Sequence, residues 1–147
     1  MNERPDGLSP YPVTTPLVIQ WGDQDAFGHV NNTLHFRWFE TGRIDYLTRC
    51  GVTMNASGTG PILAAISCNY RLQINWPDEI VVGTRVNRIG NTSINVAHAI
   101  WSRRHSAVVA DGTSTIVIFD YENQKPRPVP ANWRAAIEDL EGGPLNE

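Results

Sequence analysis

The sequence predicts an α+β domain in which an antiparallel sheet lies against one long helix. Three observations carry this. Residues 32–50 form the best helix candidate, with a start signal and a stop signal. Four runs of strand periodicity follow, at 62–72, 79–89, 92–103 and 107–121. The links between these runs are short, which implies an antiparallel meander.

The elements can be justified in chain order. Residues 1–13 carry three prolines and a glycine and read as a flexible arm. A single domain is expected over 14–141, with a loose tail at 142–147. TPLVIQWG (15–22) alternates in part and reads as the first strand, followed by a polar loop from Gly22 to Asn31. In the long helix, Asn31 or Asn32 is a suitable N-cap, and Gly51 after Cys50 is a natural stop. Leu34, Phe36, Trp38, Phe39, Tyr46 and Leu47 cover more than one stripe, so the helix is expected to be wrapped by other structure. Gly42 in its middle costs about 1 kcal/mol of helix propensity, which a close approach to a neighbouring sheet would explain. VTMNASGTG (52–60) reads as a loop, Gly90-Asn91 as a hairpin turn, ENQKPRPVP (122–130) as a sheet breaker and NWRAAIEDL (132–140) as a short final helix behind Pro130. One helix cannot cover both faces of such a sheet. The other face must meet solvent or another subunit, so a homodimer or homotetramer is expected.

Composition narrows the function. The chain has 147 residues, 41% hydrophobic and 18% charged, with a net charge of -3. That balance argues against a nucleic-acid binder relying on bulk positive charge. Cys50 and Cys68 show no metal-binding or disulfide spacing, which fits a reducing compartment. The N-terminal residues hold no apolar signal core, and no run reaches the length of a membrane span. A cytoplasmic protein is expected, without membrane or nucleic-acid partners and without a cofactor.

The chemistry concentrates in WGDQDAFGHVNN (21–32). A helix beginning near Asn32 offers unpaired backbone N–H groups and a positive dipole end. Such an end binds anions and can serve as an oxyanion hole, where one donor is worth about 2.7–4 kcal/mol. A carboxylate beside it stays ionised and can attack a carbonyl or activate a water. Gly28 lets the loop fold back so that acid and helix end meet. Asp-rich loops also serve as plain caps and turns. His29 and His35, six residues apart, match no standard zinc spacing, and no metal site is expected.

The run D23-Q-D25-A-F-G28-H29-V-N31-N32 followed by F36-R-W-F39-E40-T-G-R43 resembles the hotdog-fold acyl-CoA thioesterases of the 4-hydroxybenzoyl-CoA thioesterase type. IGNTS (89–93) and FDYENQKPRPVP (119–130) are similar to later segments of that family. The resemblance covers roughly residues 15–135 and implies a sheet wrapped round the long helix, with sheets paired edge to edge and sites at the dimer interface. It implies an acyl-CoA substrate. Asp25 matches the catalytic carboxylate, as nucleophile or as general base, and the Asn32 backbone N–H matches the oxyanion donor. Gly28, His29 and Asn31 would shape the loop, with His29 a second catalytic candidate. Tyr70 is a candidate wall of the acyl pocket, and Arg88, Asn91, Thr92 and Ser93 at the hairpin are candidates for a nucleotide phosphate. Asp23 reads as a loop brace, Glu40 and Arg43 as an ion pair, and His98 as a satisfied sheet histidine. QINWPDE (73–79) departs from the family pattern, and its Trp76-Pro77 bears on pocket shape or subunit contacts. Two other readings stay open: a hotdog hydratase or dehydratase using His29 and Glu40, and a non-catalytic acyl-thioester-binding protein.

Overall fold

The computed structural model describes residues 4–53 and 58–145. Its main elements are β1 (Val13–Val18), α1 (Thr33–Arg49), β2 (Thr59–Tyr70), β3 (Glu79–Ile89), β4 (Ser93–Ser102), β5 (Ala107–Asp120), β6 (Lys125–Pro126) and α2 (Ala131–Glu141). All strand pairings are antiparallel, and the sheet order is β1-β3-β4-β5-β2, with β6 paired to β5. This is the curled sheet and long helix of the hotdog fold. The expected strands and both helices are present, with ends displaced by a few residues; β1 is displaced most, to 13–18 instead of 15–22. The breaker at 122–130 contains the two-residue β6. Part of the expected loop at 52–60 lies outside the described residues, and Thr59 and Gly60 already belong to β2.

The long helix buries one stripe: His35, Trp38, Phe39, Gly42, Arg43, Tyr46 and Leu47. These positions recur at helical spacing and face the sheet. The helix lies against the sheet as expected, but the apolar positions expected to cover more than one stripe do so only in part, because Phe36 is half-buried and Ile44 is exposed. Gly42 is the point of closest approach. A Cβ there would lie 2.5 Å from Thr84 Oγ1 and 3.0 Å from Val82 Cγ1, both on β3. Helix propensity is sacrificed so that backbone can press against the strand.

The opposite face of the sheet is partly closed by the chain's own start. Residues 6–13, expected as part of a loose arm, contain a 3-10 turn at Asp6–Leu8, and Leu8 is 0% exposed. Leu8 and Tyr11 cover Gly83, whose neighbours Val82 and Thr84 face α1. The Arg85 guanidinium stands 5.6 Å from the centre of the Tyr11 ring. The expected loose tail also starts docked: Leu145 N–H donates to Glu138 Oε2 at 2.9 Å and its side chain packs on the core. In each case an apolar side chain finds an apolar surface, and that burial outweighs the turn-forming tendency of the neighbouring prolines and glycines.

Candidate active site at the start of the long helix

Residues 24–30 form a small closed loop. Gln24 and Val30 bridge antiparallel, Asp25 N–H donates to His29 C=O at 2.8 Å, and Gly28 N–H donates to Asp25 C=O at 3.1 Å. The turn needs Gly28 because its φ is +78°, in the left-handed region. Phe27 N–H donates to Asp25 Oδ1 at 2.8 Å, an Asx turn that fixes one carboxylate oxygen. Asp23 acts as the brace expected of it: its Oδ2 accepts Gln20 N–H at 2.7 Å, and its C=O accepts Asn31 N–H at 2.9 Å.

The 24–30 loop is pinned from across the fold by the segment after β2. Val30 N–H donates to Ile74 C=O at 2.8 Å, Asn75 Nδ2 donates to Gly28 C=O at 2.7 Å, and Trp76 N–H donates to Gln24 Oε1 at 3.1 Å. QINWPDE is thus the support of the acidic loop.

The helix start lies directly behind. The Asn31 side chain is the cap: its Oδ1 accepts Thr33 N–H at 2.9 Å and the Thr33 hydroxyl at 2.8 Å. The Asn32 N–H has no acceptor among the described residues. Asp25, His29, Asn32 and Tyr70 all line one cavity of about 300 Å³. The Tyr70 hydroxyl donates to Asn32 C=O at 2.7 Å, tying the end of β2 to the helix start. Val30, Arg71, Leu72, Gln73, Ile74 and His35 complete the lining.

His35 is the wall residue that sequence reasoning missed. The sequence raises it only as a metal ligand, although its place at the head of the stripe 35, 38, 39, 42 signals burial. It is 4% exposed, with its ring edge-on to Tyr70 at 4.7 Å and beside Trp38 at 5.2 Å. Burial lowers its pKa to about 4, although the Asn32 and Asn31 carbonyls act in the opposite direction.

The remaining candidates fall elsewhere. Gly28 and Asn31 shape the loop and cap the helix but do not line the cavity. Arg88, Asn91, Thr92 and Ser93 lie at the far end of the sheet. Ile94 pairs through Ile116 to Leu63, whereas Ile100 pairs through Ala110 to Tyr70. The strand length from Leu63 to Tyr70 is roughly 23 Å at about 3.3 Å per residue, so a single chain does not bring this turn to Asp25. Glu40 lines a separate groove of about 210 Å³ with Arg43, Ile44, Leu47, Pro61, Leu63 and Ile116. His29 and Glu40 therefore serve different cavities. The ion pair expected of Glu40 and Arg43 is not formed: Glu40 is exposed, whereas Arg43 is buried with Nη1 lacking a hydrogen-bond partner among the described residues. His98 lies in the sheet as expected, with Nε2 2.8 Å from Ser114 Oγ and its ring stacked on Phe39 at 4.5 Å, but it is only half satisfied, since Nδ1 has no hydrogen-bond partner among the described residues. Among the described residues, no group of three or more His, Cys, Asp or Glu side chains could hold a metal ion.

The signature of the thioesterase-like superfamily matches residues 19–137. The chain belongs to that superfamily. It is a hotdog-fold thioester hydrolase. Similarity extends to the long-chain acyl-CoA thioesterase FadM of Escherichia coli strain K12, 25% identical over 86% of this chain and 97% of that one. YsmA of Bacillus subtilis strain 168 is 26% identical over 54% of each chain. Among solved structures, a Thermus thermophilus thioesterase complexed with coenzyme A and zinc has a TM-score of 0.82 at 27% identity, covering 93% of this chain and 99% of that one. Among the described residues, no helix is long and apolar enough to cross a membrane.

Proposed function

We propose that this thioester hydrolase cleaves an acyl-CoA to the free acid and CoA, with Asp25 as its carboxylate and the Asn32 N–H as its oxyanion donor. One observation supports the reading: Asp25 and Asn32, whose N–H has no acceptor among the described residues, line the same cavity at the positive end of α1. A thioester carbonyl set there has its oxygen on the Asn32 N–H, where developing negative charge is stabilised. Two routes balance. As general base, Asp25 takes a proton from water as the water oxygen bonds to the acyl carbon. The C–S bond then breaks and the thiolate takes up that proton. As nucleophile, Asp25 displaces the thiolate to give an anhydride; water opens it, one water proton staying with the acid and the other passing to the thiolate, and Asp25 returns as the free carboxylate. His29, on the same wall, is the second polar group able to contact substrate. The FadM similarity supports an acyl-CoA substrate.

The active assembly is a homodimer joined along β2. This strand runs at the sheet edge and carries no charged residue, and Ile62 and Leu63 are 41% and 45% exposed. A long uncharged edge invites pairing. Antiparallel pairing of β2 with its copy would turn the partner's hairpin end toward the Asp25 end of the first chain. Arg88, Asn91, Thr92 and Ser93 would then serve the other subunit's substrate.

The test is thiol release from short, long and aromatic acyl-CoAs by wild type and Asp25→Asn. Turnover in the variant should fall about 10²–10⁴-fold with folding intact. An Asp25→Asn protein that keeps wild-type turnover refutes the mechanism. Single turnover in oxygen-18 water separates the two routes, because only the anhydride route can leave label in Asp25.

A further inference from the structure

We infer that His35, acting within the hydrolytic site proposed above, orients the water molecule that attacks the acyl carbon. The starting observation is an imbalance. A ring 4% exposed, packed against Tyr70 and Trp38, occupies a place that suits a phenylalanine. As a histidine it leaves Nδ1 buried and without a hydrogen-bond partner among the described residues. A buried polar atom left unpaired costs stability and needs a reason.

The cavity supplies the reason. His35 lines it together with Asp25 and Asn32. Among the described residues Nε2 has no hydrogen bond and is not one of the enclosed, unpartnered atoms, so it is the ring nitrogen with access to the cavity. In the tautomer with its hydrogen on Nδ1, Nε2 is a bare acceptor. Burial keeps the ring neutral at any pH above about 4, so the acceptor persists at neutral pH.

An attacking water has two O–H bonds. In the general-base route one proton passes to the Asp25 carboxylate as the C–O bond forms, and the departing thiolate takes it up when C–S breaks. In the anhydride route the water opens the anhydride, one of its protons passes to the thiolate, and Asp25 returns as a carboxylate. In both, the second O–H needs an acceptor that holds the oxygen lone pair toward the carbon. His35 Nε2 is that acceptor, and misplacing the water costs turnover without weakening substrate binding.

Thiol release and chemical denaturation of wild type, His35→Phe, His35→Gln and Asp25→Asn test this. His35→Phe should lose about 10- to 100-fold in kcat with KM nearly unchanged, while its folding stability is equal or higher because an unpaired buried nitrogen has gone. His35→Gln, whose amide oxygen reaches the place of Nε2, should recover most of kcat. A purely structural role predicts the reverse: stability and activity fall together in the Phe variant, and Gln is no better. Full activity in His35→Phe beside a dead Asp25→Asn overturns this inference and leaves the proposed function standing. A wild type that releases no thiol from any ester overturns both.

Discussion

Gly42→Ala tests how closely the fold couples its core to its site. The added methyl would sit 2.5 Å from Thr84 Oγ1 and 3.0 Å from Val82 Cγ1, against a comfortable separation of about 3.5–4.0 Å. Thr84 and Val82 are both fully buried on β3, so neither can swing into open space and α1 must retreat by roughly 1 Å. Overpacking of this kind costs about 1–3 kcal/mol. Replacing glycine within a helix returns about 1 kcal/mol. The net loss is therefore about 0–2 kcal/mol, a fall in Tm of up to roughly 8 °C for a chain of this size. Activity should drop more steeply, because the same retreat carries the Asn32 amide away from the acyl carbon, and about 1 Å of misplacement costs near 10²-fold. Thr84→Ala in the Gly42→Ala background removes the worse clash and should recover part of both, as a coupling energy of about 0.5 kcal/mol or more in a double-mutant cycle. Thermal unfolding and thiol release on the four proteins decide the matter. A Gly42→Ala chain more stable than wild type, with full turnover, refutes the claim that α1 is held against β3 at this residue.

Other outcomes follow from the same structure. Tyr70→Phe removes the hydrogen bond to Asn32 C=O and should lower kcat about 2- to 10-fold, the range of one such bond; an unchanged kcat would show that this tie does not hold the helix start. Leu63→Asp puts a charge on the apolar edge of β2 and should yield monomers by light scattering, and a persistent dimer would place the interface elsewhere. Arg88→Ala should raise KM for acyl-CoA several-fold while leaving a short pantetheine thioester unaffected; equal effects on both would remove Arg88 from phosphate binding. His98 and His35 have folded pKa values lowered by burial to about 3 and about 4. The unfolded chain, with histidine near its usual 6.5 or so, takes up protons first as pH falls. Stability is thus fully present above about pH 6.5 and declines toward pH 4, by about 1.4 kcal/mol per pH unit for each histidine. Urea unfolding at pH 7 and pH 5 reads this decline, and His98→Asn should flatten it.

Much of this was legible in the sequence. The period of α1 and the alternation of β3, β4 and β5 are local patterns, and burying one face preserves them. The Asp25 loop was legible because turn glycine, cap asparagine and acid are contiguous, so local chemistry fixes their geometry. What was hidden depends on partners distant in sequence. Leu8 and Tyr11 look like loop residues until Gly83 offers a flat strand to cover. His35 is ordinary on a helix until Tyr70 closes over it. The segment Ile74–Trp76 shows no motif, because its work is done by two backbone groups and the Asn75 amide. The place of the Arg88 turn was hidden for a related reason. Its residue types suit a phosphate, but only the strand register reveals that Leu63, and not Tyr70, stands at its end of the sheet.

The pinning of the acidic loop by Ile74–Trp76 bears on how the protein is born. Residues 21–49 can begin to coil as soon as they leave the ribosome, at about 5–20 residues per second. The cavity cannot form then. Its far wall is set by Arg71 and Leu72, whose N–H groups both donate to Val109 C=O, and by the pairing of Tyr70 with Ala110. The acid is synthesised before β2 and β5, and its surroundings close only after β5 has emerged. A nascent chain ending before Val109 carries Asp25 and the helix start without the cavity wall around them, so on the proposed mechanism thioester cleavage waits for β5.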